Sequence, residues 1–117
     1  MGKEQIDWLE SQLKEAEAAK EPVILFCHYP IFPKGGHNLW NDDELVALVS
    51  KYSKTVAAWM NGHNHDGNYG EKDGVHYLNF KGMLDTRLNA YSTVAVFPDG
   101  TLKVTGFGRE PDRILGQ

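Results

Sequence analysis

A chain of 117 residues is long enough for one domain with a modest core. Its 41% hydrophobic and 24% charged content is ordinary for a folded globular protein and excludes a disordered or low-complexity chain. A formal charge of −4 offers no basic field to a nucleic-acid backbone, and no apolar run reaches membrane-spanning length, so neither nucleic acid nor membrane is an expected partner.

The first predicted element is a helix over Glu4 to Lys20. Ile6, Leu9, Leu13 and Ala16 recur at spacings of three and four, which places them on one face. Glu21-Pro22 ends it, because the residue before proline is pushed out of the helical region. Val23 to Cys27 is a short, continuous apolar run, the pattern of a strand covered on both faces. Its last residue is the only cysteine, so no internal disulfide can form. With no charged-then-apolar leader opening the chain, this favours a cytoplasmic protein.

His28 to Trp40 reads as a loop, broken by Pro30, Pro33, Gly35 and Gly36. A second helix is expected from Asn41, with Glu44 reaching back as in a capping box. Leu45, Leu48, Val49 and Tyr52 form its buried stripe. Thr55 to Met60 is the next strand, followed by a polar, glycine-rich turn region from Asn61 to Gly74. Val75 to Phe80, Tyr91 to Phe97 and Thr101 to Phe107 are strands. Pro98-Asp99-Gly100 is a hairpin turn between the last two. The tail beyond Gly108 is expected to be irregular.

This order predicts an α/β domain over residues 1–117, with one mixed β-sheet and helices on one face. The hairpin strands then offer apolar side chains to the other face, through either Val94 and Val96 or Ala95 and Phe97. Nothing else in the chain covers them. That face is expected to be exposed, to pair with a second copy in a homo-oligomer such as a dimer, or to need a missing partner layer.

Three histidines sit just beyond predicted strand ends: His28, His63 and His65. In an extended backbone, residues two apart point to the same side, so His63 and His65 can aim at one point. Neutral imidazole is a ligand for divalent transition metals. The carboxyl ends of neighbouring strands are where α/β sheets place ligands. A His-x-His pair alone is equally two solvated loop residues. Gly62, the preceding apolar strand and His28 shift the reading to a metal site.

Leu25-Phe26-Cys27-His28-Tyr29-Pro30 followed by Gly62-His63-Asn64-His65 resembles the second half of the calcineurin-like metallophosphoesterases. Within them the chain is most similar to the manganese-dependent ADP-ribose/CDP-alcohol diphosphatases. Trp40-Asn41, Gly62 to Gly67, Gly82-Met83-Leu84-Asp85-Thr86, Gly106-Phe107-Gly108-Arg109 and the opening Gln5-Ile6-Asp7-Trp8-Leu9 carry that likeness. The resemblance implies the C-terminal half of a four-layer α/β-β/α sandwich. It implies a divalent cofactor (Mn, Fe or Zn), with His28 and His63 on one metal and His65 on the other. In the family two metals hold the phosphate and activate the attacking water.

The family's Asp-x-His, Gly-Asp and Gly-Asn-His motifs are absent from these 117 residues. The histidine ligands are therefore present without the bridging carboxylate, and no complete catalytic set is expected. Metal should bind weakly or not at all, and the chain alone should be inactive. Activity would require a missing N-terminal half covering the open sheet face. The alternative is a non-catalytic oligomerising or binding module that reuses the fold.

The remaining candidates carry plainer readings beside the functional ones. His37, Trp40 and Asn64 border the expected cleft and are candidates to contact a nucleoside-diphosphate-linked substrate; His37 is equally a solvated loop residue. Asp66 is a candidate partner orienting a histidine, or simply turn chemistry beside Gly67. Cys27 and His28 are adjacent on a strand and point apart, so they make no thiol–base pair. His76 is expected to pack or hydrogen-bond within its strand. Asp42, Asp43 and Glu44 fit the positive end of a helix dipole better than a metal cluster.

Overall fold

The computed structural model describes residues 1–116. Two helices and seven strands follow in the order α1 (Lys3–Ala19), β1 (Val23–Phe26), α2 (Asp42–Lys51), β2 (Val56–Asn61), β3 (Asn68–Lys72), β4 (Val75–Asn79), β5 (Ala90–Val96), β6 (Leu102–Gly108) and β7 (Arg113–Leu115). Helix α1 buries Leu9, Leu13 and Ala16, the stripe its periodicity predicts. It stops at Lys20, whose left-handed φ of 58° lets its N–H reach back to Ala16 and Glu17. Helix α2 buries Leu45 and Val49, and Tyr52 follows them into the core.

The mixed sheet with helices on one face is present, in strand order β1-β2-β4-β3. β1, β2 and β4 run parallel, and β3 pairs antiparallel with β4. Alternation along the central strands separates two cores. Trp59, Val75 and Tyr77 point to the helices and join Leu9, Leu13, Leu45 and Val49. Ala58, Met60 and Leu78 point the other way. Such two-sided burial suits parallel strands.

Several sequence expectations change here. The C-terminal hairpin does not join the mixed sheet. It forms a second sheet, β5-β6-β7, laid on that sheet's other face. Leu102, Val104 and Leu115 bury against Ala58, Met60 and Leu78, so the face expected to be bare has its own cover. Two strands lie where none was predicted, β3 within the polar stretch and β7 within the tail. β1 has the cover on both faces that its apolar run predicts, Val23 and Leu25 against the helix-side core and Ile24 against the second, but it is an edge strand, and Phe26 at its end is 78% exposed. The Asn41 capping box does not form. The Asn41 side chain instead binds both backbone ends of Met1 at 2.8 Å, and Glu44 lies 3.5 Å from its amide rather than on the backbone. The hairpin turn is as expected: Gly100 takes a φ of 88°, and Phe97 and Thr101 are linked through the backbone.

Candidate metal centre

The site is built where parallel strands end. Phe26 and Met60 are register partners, and the chain continues from each into a loop carrying a histidine. The two loops are tied together by Cys27 N–H to Met60 C=O at 3.1 Å and Gly62 N–H to His28 C=O at 3.2 Å. Buried Trp59 adds a third tie, donating its indole N–H to the Tyr29 carbonyl at 3.2 Å. His28 and His63 are thereby brought together from opposite ends of a 35-residue separation. His28 Nε2 lies 3.3 Å from His63 Nδ1, and the ring centroids are 5.2 Å apart.

The backbone at His63 is not extended, contrary to the simple His-x-His reading. Its φ is 67°, left-handed for a non-glycine residue, and Asn64 N–H closes a three-residue turn onto Gly62 C=O at 2.8 Å. Such a turn is strained and persists only where surrounding bonds over-determine it. Those bonds come from the end of β4. Asn79 donates to Asn64 C=O at 2.7 Å and accepts from the Asn61 amide at 2.8 Å. The buried Asn61–Asn79 pair thus sets where the turn leaves the sheet.

His63, Asn64 and His65 line a recess of about 430 Å³ together with His37, Asp66 and Asp85. Of the sequence-nominated residues, the structure brings His37 to the recess, its ring centroid 5.5 Å from that of His63. Asn64 and Asp66 also line it. Trp40 does not, and is 84% exposed. His28 does not line the recess; it lines an open groove with Phe26, Met60 and Phe80. Desolvation lowers the pKa of His63 from the ordinary 6.5, and repulsion from His28, His37 and His65 lowers it further, which favours the neutral form a metal needs.

Sequence reasoning did not nominate Asp85 as a site residue. Its carboxylate Oδ2 lies 2.7 Å from His65 Nδ1. The Asp66 carboxylate had been the candidate partner; Asp66 instead offers its backbone carbonyl to Lys81 at 2.8 Å and its N–H to the Asn64 side chain. Its stretch, Gly82-Met83-Leu84-Asp85-Thr86, is one of those that carry the family likeness, but nothing local assigns Asp85 a role, since it lies 20 residues from His65 in a segment without regular structure.

Two imidazole nitrogens bound to one tetrahedral metal at about 2.0–2.1 Å would stand about 3.4 Å apart. The 3.3 Å between His28 Nε2 and His63 Nδ1 is a ring-to-ring hydrogen bond here and is also close to that spacing, so the pair would suit a shared divalent cation once the bridging proton moves to another ring nitrogen. Among the described residues no group of three histidine, cysteine or acidic side chains is converged on a metal position. Of the two carboxylates lining the recess, Asp85 is committed to His65. The donor set present is therefore imidazole, which suits Zn, Fe and Mn when oxygen ligands complete the shell.

The other nominated residues have structural partners. His76 is buried, bonded to Tyr69 OH at 2.9 Å and to Gly116 C=O at 2.6 Å. Asp42 and Asp43 open α2 and pair with Lys34 at 2.7 and 2.9 Å. Cys27 packs against the helix-side core.

No family model matches the chain. It is similar over nearly its whole length to manganese-dependent ADP-ribose/CDP-alcohol diphosphatases: 36% identical to that of Mus musculus over 96% of the chain, and 35% identical to that of Homo sapiens over the same share. The chain spans 34% of each of those relatives, about a third of their length. Its fold matches the crystal structure of a dimetal phosphatase from Danio rerio with a TM-score of 0.92 at 23% identity, covering 99% of this chain and 38% of that one. The chain therefore shares the fold of part of that protein, and among the described residues no helix is long and apolar enough to cross a membrane.

Proposed function

We propose that this chain is the histidine half of a dinuclear metallophosphoesterase-type hydrolase site, acting on nucleoside-diphosphate-linked compounds such as ADP-ribose. The observation that carries it is the His28–His63 pair, 3.3 Å apart at the ends of adjacent parallel strands. The relatives' names, with manganese and diphosphatase in them, support the metal and the reaction class.

His28 and His63 would hold one cation and His65 the other. The cations, when bound, supply charge neutralisation for the phosphate and an activated water. This chain's other residues act around them. His37 stands at the rim of the recess, where its imidazole can hydrogen-bond a phosphate oxygen, and the Asn64 amide lies beside it. Trp40, outside the recess, would contact substrate only at its edge. The carboxylates that bridge two metals would come from a separate polypeptide segment covering the exposed edge of β1. Phe26 there is 78% exposed, on a strand with one sheet partner. In this reading the chain works in the cytoplasm and is inactive by itself.

The test is metal binding and turnover by the chain as it stands. Weak Mn²⁺ uptake that is abolished in both His28→Ala and His63→Ala is expected, with no ADP-ribose hydrolysis above background. Robust turnover by the chain alone would overturn its dependence on a second segment. Unchanged Mn²⁺ uptake in both variants would overturn the histidine half itself.

A second reading, an oligomerising module that reuses the fold, is favoured by one observation. Tyr91 and Phe107 stack at 4.8 Å on the outer face of the second sheet, 49% and 40% exposed. Mass in solution separates the two: a dimer lost in Tyr91→Ser supports the module, and a monomer sinks it.

A further inference from the structure

The segment from Gly82 to Asn89 has no regular secondary structure, yet it is closed into a loop by one side chain. The Arg109 guanidinium donates through Nη2 to the Gly82 carbonyl and through Nε to the Leu88 carbonyl at 3.4 Å. The Arg109 N–H adds a bond to Asn89 C=O at 2.9 Å. Gly108 makes that approach possible. Its φ is 66°, and a Cβ there would lie 1.8 Å from the Asn89 carbonyl oxygen. Both ends of the loop are thus held by the end of β6, in the second sheet.

The loop meets the recess at two points. Gly82 N–H donates to His65 C=O at 3.0 Å, and the His65 ring lies flush on Gly82, where a Cβ would stand 2.6 Å from Cγ. Asp85 then meets His65 Nδ1 at 2.7 Å. An ionised carboxylate can only accept, so Nδ1 must carry the proton. In the neutral ring Nε2 is then the free lone pair. Which ring nitrogen is available to a metal is set by the bond the other makes.

We propose that Asp85 is a positioning residue that fixes His65 as its Nδ1–H tautomer and so presents Nε2 to the recess, and that Arg109 holds the loop that carries it. Exposure leaves the pair only a minor role in stability. The His65 and Asp85 side chains are 45% and 60% exposed, and a pair so placed contributes little to folding. The effect lies in ring orientation and proton placement. The metal role rests on the hydrolase reading above; the tautomer does not.

The experiment reads the tautomer directly, on the metal-free chain at alkaline pH, by long-range proton–nitrogen correlation of the His65 ring. The wild type should show a protonated Nδ1 and a bare Nε2. Asp85→Ala should lose that preference and Asp85→Glu restore it. Arg109→Ala should lose it as well, although it touches neither ring nor carboxylate. Titration with Mn²⁺ or Zn²⁺, followed at the His65 ring rather than by total uptake, should then show a loss of about 10–100-fold in Asp85→Ala, recovered in Asp85→Glu. A wild-type Nε2–H ring, or the same tautomer in wild type and Asp85→Ala, would overturn the proposal. An Asp85-dependent Nδ1–H ring in a chain that takes up neither metal would uphold the positioning role and sink the hydrolase reading.

Discussion

The two arms of the histidine cluster are held in different ways. His28 and His63 stand on the ends of β1 and β2, backed by buried Trp59 and by the Asn61–Asn79 pair. Their placement is part of the core. His65 is held by an exposed loop, through Asp85 and the surface of Gly82, and that loop is anchored to the second sheet. Changes to the first arm should therefore cost stability along with metal binding, whereas changes to the second should cost metal binding nearly alone.

The largest expected effect falls on the strand arm. Trp59 is 1% exposed, and Trp59→Ala removes its packing and leaves the Tyr29 carbonyl without its donor. A loss of about 3–5 kcal/mol in denaturant unfolding is expected. In any fraction that stays folded, metal uptake at His28 and His63 should fall too. A variant with wild-type stability would break the division at its root. Next comes Gly82→Ala on the loop arm, whose new Cβ meets the His65 ring at 2.6 Å. The ring is exposed and can swing away, so the loss of stability should stay below the roughly 1–3 kcal/mol of overpacking a closed core. Metal affinity at the His65 ring should fall by about tenfold, as when an orienting contact is lost. If melting temperature and metal affinity fell together as steeply as in Trp59→Ala, the loop arm would be core after all.

A smaller effect is expected at the loop carrying His37. Asp42 is buried, which pushes its carboxyl pKa up. The Lys34 ammonium at 2.7 Å, the Asn38 amide at 3.1 Å and the Asp43 N–H overcome that and hold it below the ordinary 3.8. A carboxylate with a lowered folded pKa contributes stability above its unfolded pKa and loses it as pH falls through the folded value. The wild type should therefore lose stability below about pH 4. Lys34→Ala should be less stable than wild type at neutral pH. The gap in melting temperature between them should close in acid, and a gap constant with pH would discount the Lys34–Asp42 pair as the anchor of this loop.

What the sequence made legible follows the reach of each signal. Helices α1 and α2, the strands around Leu25 and Trp59 and the β5–β6 hairpin carry local apolar periodicity, a continuous apolar run or turn chemistry, and all stand at the chain positions expected. β3 carries neither. Asn68–Lys72 is a polar edge strand held mostly by its backbone pairing with β4. One available signal was Asp73-Gly74, both at positive φ, a two-residue hairpin turn. β7 is three residues long, too short for periodicity. Whether the hairpin extends the first sheet or covers it depends on which strands it meets, and alternation alone does not decide that. In the site, the histidines were legible because each follows a strand. Asp85 was not, because its partner is brought near by Arg109, a contact across 27 residues from Gly82. The left-handed turn at His63 was hidden for the same reason, since the bonds that sustain it come from Asn79.

The smallest expected effect tests whether His37 belongs to the strand arm or only borders it. Its ring lies 5.5 Å from His63, and its charge is one of the causes that lower the His63 pKa, behind desolvation and the charge on His28. His37→Ala should therefore move the His63 pKa part of the way back toward 6.5, by less than His28→Ala does. For a histidine with a lowered folded pKa the unfolded chain binds the proton more readily, so stability falls as pH drops below about 6.5. Relief of that repulsion should make the His37→Ala chain slightly more acid-tolerant than wild type in this window. The His63 ring-proton titration by NMR checks both. An unmoved His63 in His37→Ala would leave His37 a bordering residue, free to meet a phosphate but without influence on the metal-binding ring. A shift as large as that of His28→Ala would instead bind the glycine-rich loop into the strand arm. The division would then run between three histidines and one, in place of two and one.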